Sequence, residues 1–319
     1  MDPDTPCCHY VPGPEGKNMT RLTIGLPVYN GANLLARSIE NLLKQTFTDF
    51  VLVLNDNAST DGTAEICAAY ARRDQRVQYY RNAETVSWNE NFRITLERAQ
   101  TPYFMWATHD DIWLPRFAEE NIALLDANPK AVCSVSKIIY FSPSGERKLA
   151  ADTGPLTGTP AERIKRLFML MDSCGRLYGV YRTEALRASV PAGLHIYAAD
   201  WLFVALTLLY GDHLEVEEVL LEREAQAFGH YIHRFGRTDG FTPTWLDWAV
   251  PMWRFNNELR ARLPQDVWRA VLPGLVYLNL RQCGLMLENR VPAVKNATRP
   301  LRNLAANLFH RRWRASHAD

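Results

Sequence analysis

The stretch Phe50-Val-Leu-Val-Leu-Asn-Asp-Asn-Ala-Ser-Thr-Asp-Gly-Thr63 decides the fold. Five consecutive apolar residues, three of them leucine or phenylalanine and two valine, read as a strand buried on both faces, which is the mark of a parallel sheet covered by helices. A polar loop follows, and the helical spacing then runs from Thr63 to Arg73. Upstream, Leu22 to Val28 repeats the strand signal and is followed by helix-spaced Leu34, Leu35, Ile39, Leu42 and Leu43. Downstream come Val77 to Tyr80, a helix around Asn91 to Ala99, Tyr103 to Ala107, a helix from Pro115 to Asp126, and Ala131 to Tyr140. Strands alternating with amphipathic helices predict an α/β domain with a mostly parallel sheet. The Ser142-Pro-Ser-Gly145 turn then reverses the chain.

Beyond Gly158 the alternation weakens. A helix over 161–171, a glycine-bounded segment from Gly175 to Tyr181, an apolar helix from Ala199 to Tyr210 and a strand over 214–222 form a second layer. From Thr244 the sequence turns helical and rich in tryptophan, with helices expected at 245–262, 266–288 and 297–314 and the tryptophans read as core. The organisation expected is therefore a flexible arm over 1–19, an α/β domain over 20–240 in two halves that meet at about 140, and a helical region over 241–319.

Composition narrows the function classes. The 319 residues carry 36 Lys and Arg against 35 Asp and Glu, a net charge of +1, so no overall field recruits nucleic acid. The balance is uneven along the chain: from Arg290 onward there are seven basic residues and one acid. Six cysteines without a CxxC pair suggest neither a disulfide framework nor a zinc site, and fit a reducing compartment. The start lacks a basic region followed by an apolar core and does not read as a secretory leader. The longest apolar run, Trp201 to Tyr210, is about half of what a bilayer-spanning helix needs.

In open α/β sheets ligands gather beyond the carboxyl ends of the strands, where loop amides and helix N-termini converge. The first strand ends in Pro27-Val-Tyr-Asn-Gly31, the second in Asn55 to Thr63, the fourth in Thr108-His-Asp-Asp111. A buried strand that ends in two carboxylates requires solvent, a partner or a cation. Hard divalent ions, Mg²⁺ or Mn²⁺, take few carboxylates and complete their shell with water and phosphate oxygens, so the pattern suits a metal and a diphosphate. Asp61 also has the position of a helix cap, and Asp110 and Asp111 that of a solvated turn. Capping leaves Asp56 unexplained. Neither GxGxxG nor GxxxxGK[ST] is present, which argues against NAD and P-loop chemistry.

Pro27-Val-Tyr-Asn30, Ser38-Ile-Glu-Asn-Leu-Leu-Lys-Gln-Thr46, Val53 to Thr63 and Trp106-Ala-Thr-His-Asp-Asp-Ile-Trp113, in this order, resemble the family 2 glycosyltransferases of GT-A fold. The resemblance covers residues 21–140 well and 175–235 loosely. It implies an inverting transfer of sugar from a nucleotide-sugar donor to an acceptor hydroxyl, with envelope polysaccharide, O-antigen or glycolipid as the product class. It further implies that Pro27, Val28, Tyr29, Asn30, Asp56, Asn57, Asp61, His109 and Asp110 bind the donor nucleotide. By the same resemblance Asp110, Asp111 and His233 hold a divalent cation, with Thr108 in place of the first acid of the DxD motif and His230 as an alternative to His233. Asp200, in Ala198-Ala-Asp-Trp-Leu202, matches the catalytic base. As an acid at the head of a helix it also satisfies the helix dipole.

The acceptor class so implied is a glycan or lipid-linked sugar. Leu301, Leu304, Ala305, Leu308 and Phe309, with Arg302, Arg311, Arg312 and Arg314 beside them, make a basic amphipathic helix that suits an anionic membrane surface or a solvated packing face equally. The location expected is cytoplasmic, with peripheral attachment to the membrane. Two other classes stand beside this one. A nucleotidyltransferase shares the fold type but needs a glycine-rich loop after the first strand. A catalytically impaired sugar-nucleotide or glycan-binding relative is consistent with Thr108.

Overall fold

The computed structural model describes residues 20–142, 144–171, 174–224, 242 and 244–291. The strands are β1 (Leu22–Val28), β2 (Phe50–Asp56), β3 (Val77–Arg81), β4 (Tyr103–Trp106), β5 (Ile112–Trp113), β6 (Ala131–Phe141), β7 (Arg147–Leu149), β8 (Val180–Arg182) and β9 (Asp212–Glu224). They form one sheet in the order β3-β2-β1-β4-β8-β6-β9-β5, with β7 paired to β6 as the hairpin expected at the Ser142 turn. The strands β1 to β4 are parallel, β8 is antiparallel to β4 and β6, and β6 and β9 run parallel. The α/β architecture of a mostly parallel sheet is as expected.

Every residue of β1 is buried, as a central parallel strand requires. Pro27 lies inside it, although proline cannot donate to a ladder. The register explains why. Gly25 O accepts from Ala107 N at 2.8 Å on the β4 side, and Val28 O accepts from Asn57 N at 2.8 Å on the β2 side. Odd-numbered residues therefore point toward β4, whose pairing with β1 ends at Gly25. The missing N–H of Pro27 faces a position past the end of that ladder. At Gly25 itself, an added Cβ would lie 2.6 Å from the Phe104 ring and 2.8 Å from Thr95 Cγ2, so only glycine lets these side chains lie on the strand.

Helices α1 (Ala32–Leu43), α2 (Thr63–Arg73) and α4 (Phe117–Ala127) cover one face around Leu26, Ile39, Cys67 and Ile122. The other face carries α3 (Trp88–Glu97), α5 (Pro160–Leu170), α6 (Thr183–Arg187) and α7 (Ala199–Thr207). Three more helices join this second layer: α8 (Trp245–Ala249), α9 (Trp253–Arg262) and α10 (Gln265–Arg290). Met252, Phe255 and Leu259 share one core with Phe104 and Trp106, so the described C-terminal helices complete the sheet's second layer.

Three expectations are corrected. The helix expected over 245–262 is two helices, because Pro251 forces Val250 out of helical geometry, to φ −134° and ψ 84°. The tryptophans are not all core: Trp245 is 79% exposed and Trp248 37%. Finally, among the described residues one helix, from Gln265 to Glu288, is long and apolar enough by length and composition to cross a membrane. An apolar-run criterion misses it because Asn279, Arg281 and Gln282 break the run; in the fold it packs against α5. The expected helix over 297–314 lies outside the described residues.

Candidate active site at the carboxyl edge of the sheet

The ends of β2, β1 and β4 are neighbours in the sheet, and their loops are laced together. Asn30 adopts φ 49°, a left-handed conformation that asparagine tolerates. Its N–H donates to Ser59 Oγ at 2.9 Å and its Oδ1 accepts from Thr60 N at 2.9 Å. Gly31 N donates to Thr63 Oγ1 at 3.0 Å. Asp61 accepts from Thr63 N at 3.0 Å and Thr63 Oγ1 at 2.5 Å through Oδ1, and from Ala32 N at 3.2 Å through Oδ2. It thus holds the starts of α1 and α2 together. The Thr63 hydroxyl holds the Asp61 carboxyl below its usual range, against a smaller opposing effect of burial. Pro27 and Val28 are buried beneath the loop, while Tyr29 is 44% exposed above it.

Asp56 has no exposed surface. Its Oδ1 accepts from Ser59 N at 2.9 Å; its Oδ2 accepts from Tyr79 Oη at 3.2 Å and pairs with Arg81, whose other terminal nitrogen donates to Ser59 O at 2.8 Å. Arg81 escapes sequence reasoning by one residue, since the third strand reads as ending at Tyr80. In the sheet it stands directly opposite Asp56. Asn57 is fixed by Val86, whose N–H donates to Asn57 Oδ1 at 2.9 Å and whose carbonyl accepts from Asn57 Nδ2 at 2.8 Å. Asn55, Asn82 and Asn91 extend the same network, with Asn55 Nδ2 donating to Asn91 Oδ1 at 2.7 Å and to Asn82 Oδ1 at 3.1 Å. Arg93, by contrast, spends its charge along α3 on Glu90 and Glu97.

At the end of β4 the His109 ring lies against Gly31, where an added Cβ would come within 3.1 Å of it. The Ser38 hydroxyl donates to Thr108 O at 3.1 Å, so α1 supports this loop. Asp110 is partly exposed. Asp111 differs from expectation. It is 1% exposed, and one carboxylate oxygen accepts both from the Thr108 hydroxyl at 2.6 Å and from Arg223 Nε at 2.8 Å. Burial pushes the Asp111 carboxyl upward, and the Arg223 guanidinium opposes that push. Asp111 therefore forms a buried ion pair with β9 through one of its carboxylate oxygens. Arg223 stacks on the Tyr178 ring, 3.9 Å from its centroid. Nothing in the sequence signals this partner, which is 112 positions away.

Asp200 opens α7 after Ala198, which adopts φ 61°. It is 7% exposed, and its Oδ1 accepts from Trp201 N at 3.0 Å. Cys174 lies beside it: burial first, and then Asp200, push the Cys174 thiol well above its usual range. Tyr178 is raised by burial, with Arg223 opposing and Asp111, Asp110 and Cys174 adding to it. Cys174, Tyr178 and Arg223 thus join Asp200 on one side to Asp110 and Asp111 on the other. His230 and His233 lie outside the described residues. Among the described residues no group of three or more His, Cys, Asp or Glu converges on a metal-sized position. A hard cation takes few carboxylates and completes its shell with water and other oxygens, and Asp110 is the partly exposed carboxylate of this loop.

The chain is similar to known glycosyltransferases. Glycosyltransferase GlyA of Streptococcus pneumoniae is 32% identical over 182 residues, which is 53% of this chain and 26% of that protein. Glycosyltransferase GlyG of the same species is 30% identical over 93 residues, 28% of this chain and 30% of that one. The chain thus spans less than half the length of these curated relatives. Among solved structures, the mannosyltransferase PcManGT of Pyrobaculum calidifontis with GDP-Man and Mn²⁺ superposes with a TM-score of 0.57 at 15% identity, over 93% of this chain and 84% of that one. S. aureus TarS 1-349 with UDP-GlcNAc gives 0.54 at 14% identity, over 91% and 92%. At such identities the likeness establishes the GT-A fold. The family model "Glycosyl transferase family 2" matches residues 23–187, just over half of the sequence, and the chain belongs to that family.

Proposed function

We propose that the protein moves a sugar from a nucleoside-diphosphate sugar to an acceptor hydroxyl with inversion at the anomeric carbon. One observation carries this reading: Asp200 and Asp110, from distant parts of the chain, flank a single cluster of Cys174, Tyr178 and Arg223 beside the laced loops of β1, β2 and β4. Asp200 takes the proton of the acceptor hydroxyl as that oxygen attacks, and the nucleoside diphosphate leaves from the opposite face. Pro27, Val28, Tyr29, Asn30, Asp56, Asn57 and His109 form the wall against the nucleotide, and Asp61 keeps the two loops in register. The donor complexes of TarS and PcManGT support a nucleotide-sugar donor, and the Mn²⁺ of the latter supports a divalent cation. Bound at Asp110, Mn²⁺ or Mg²⁺ would stabilise the charge that grows on the leaving diphosphate.

The acceptor in this reading is a glycan or a lipid-linked sugar of the cell envelope. The basic segment from Arg290 onward brings the enzyme to the anionic cytoplasmic face of the membrane. A second reading, a glycan- or sugar-nucleotide-binding relative without turnover, is favoured by Thr108, whose hydroxyl is committed to Asp111. Thermal unfolding with UDP-, GDP- and dTDP-sugars, with and without Mn²⁺, followed by release of nucleoside diphosphate, separates the two. A bound donor raises the melting temperature under either reading. Turnover is expected only for the transferase, and Asp110→Asn abolishes it while leaving the fold intact. Donor binding without any turnover would refute transfer.

A further inference from the structure

The loop after β3 and the segment leading into α7 face each other across a cleft of about 540 Å³, with Thr85 to Ser87 and Glu90 on one wall and Gly193 to His195 on the other. That volume lies within the range of small-molecule sites. The walls are pinned to each other: the Asn89 side-chain amide donates to Leu194 O, and the Gly193 backbone N–H reaches Glu90. They are also pinned to the site. Val86 N donates to Asn57 Oδ1 at 2.9 Å, and the Thr85 hydroxyl donates to Asn57 O at 3.3 Å, so one wall is carried by the residue next to Asp56. The opposite wall runs within a few residues into Tyr197, Ala198 and Asp200.

The lining has a definite chemistry. It contains no lysine or arginine. Glu90 supplies a carboxylate that hydrogen bonds from Arg93 hold below its usual range, against the opposing effect of burial, with the Arg93 and His195 charges assisting. Ser87, at the head of α3, makes no side-chain capping bond. Glu90 is ion-paired with Arg93, so the lining offers a diphosphate no lysine or arginine of its own to pair with, whereas a carboxylate and hydroxyls accept hydrogen bonds from sugar hydroxyls. The acceptor must also present its hydroxyl to Asp200, so its body has to lie against the chain that precedes Asp200.

We infer that this cleft is the acceptor subsite, and that it takes an uncharged, hydroxyl-rich sugar whose phosphate, if it has one, stays outside. The inference rests on the transfer reading above. It is tested with p-nitrophenyl glycosides of neutral hexoses and N-acetylhexosamines, whose binding is followed by saturation-transfer NMR with nucleoside diphosphate present. The wild type is compared with Ser87→Trp, which fills the cleft, and with the nearly isosteric Glu90→Gln, whose fold is checked by thermal unfolding. Glycoside affinity is expected to fall at least about tenfold in both variants while nucleotide affinity stays within about twofold. If no glycoside saturates the wild type, if both variants bind as the wild type does, or if nucleotide affinity falls instead, the acceptor assignment is overturned. Failure of the parent reading looks different: the wild type would neither bind nor hydrolyse any nucleotide sugar. A glycoside held under those conditions would mark a lectin-like cleft, which also overturns the acceptor assignment.

Discussion

The Asp111–Arg223 pair ties the loop after β4 to β9, and its removal has a computable cost. Arg223→Met keeps the length of the side chain and its apolar contact with Tyr178 but deletes the charge. Asp111, 1% exposed, would then retain only the Thr108 hydroxyl on the oxygen that both partners now share. Leaving one member of a buried pair uncompensated costs about 3–5 kcal/mol. The sign of the pH dependence follows from burial, which raises the Asp111 carboxyl in the fold above its unfolded value, and which Arg223 no longer opposes. A group whose folded pKa is raised favours the fold below the unfolded pKa, near 3.9 for aspartate, and loses that contribution as pH rises through the folded value. The deficit of Arg223→Met should therefore be full near pH 7 and shrink as pH falls toward the unfolded value, about 4, as Asp111 takes up a proton. Urea unfolding followed by tryptophan fluorescence at both pH values measures it, and Asp111→Asn combined with Arg223→Met should recover most of the loss. A deficit below about 1 kcal/mol, or one independent of pH, would show that Asp111 is not held as a buried carboxylate and would refute the reasoning.

Four further outcomes are expected. Asp200→Asn should lower turnover by about 10²- to 10⁴-fold and spare nucleotide binding in calorimetry; ordinary turnover would remove Asp200 from the role of base. Gly31→Ala places a Cβ 2.7 Å from Val28 Cγ2 and 3.1 Å from the His109 ring, so it should cost about 1–3 kcal/mol in urea unfolding and weaken nucleotide binding; unchanged values in both would deny the packing of His109 on this loop. Burial first, and then Arg176 and Arg163, hold the His213 imidazole well below its usual range, so its contribution is present above the unfolded value near pH 6.5 and is lost as pH falls below it. His213→Gln should therefore flatten the acid side of the stability curve, and an identical slope would count against a neutral buried imidazole. Cys67 and Cys133, whose thiols burial pushes up to about 12, should react with a disulfide reagent only on unfolding, and rapid labelling of either in the native protein would contradict their burial.

The sheet was legible because its strands are buried on both faces. A parallel strand so placed has to be apolar at nearly every position; Phe50 to Leu54 is apolar throughout, and Leu22 to Val28 is apart from Thr23. The polar residues after each strand were equally legible, since a chain leaving a buried ladder meets water at once, and sequence order alone put Asn30, Asp56 and Asp110 at strand ends. A role for Asp61 at the start of α2 could be read as well, although the cap position itself falls on Gly62 and Asp61 accepts from Thr63 N from one residue before it. Sequence could not determine which of these acids is already neutralised. Asp56 and Asp111 resemble Asp110 until Arg81 and Arg223 arrive, one from the neighbouring strand and the other from 112 residues away. Likewise, that β8 inserts between β4 and β6, and that the C-terminal helices close the core over Phe104 and Trp106, follows from long-range packing. Local pattern fixes which residues must leave water. The pairing of buried charges depends on the folded path of the whole chain, and only the tertiary structure decided it.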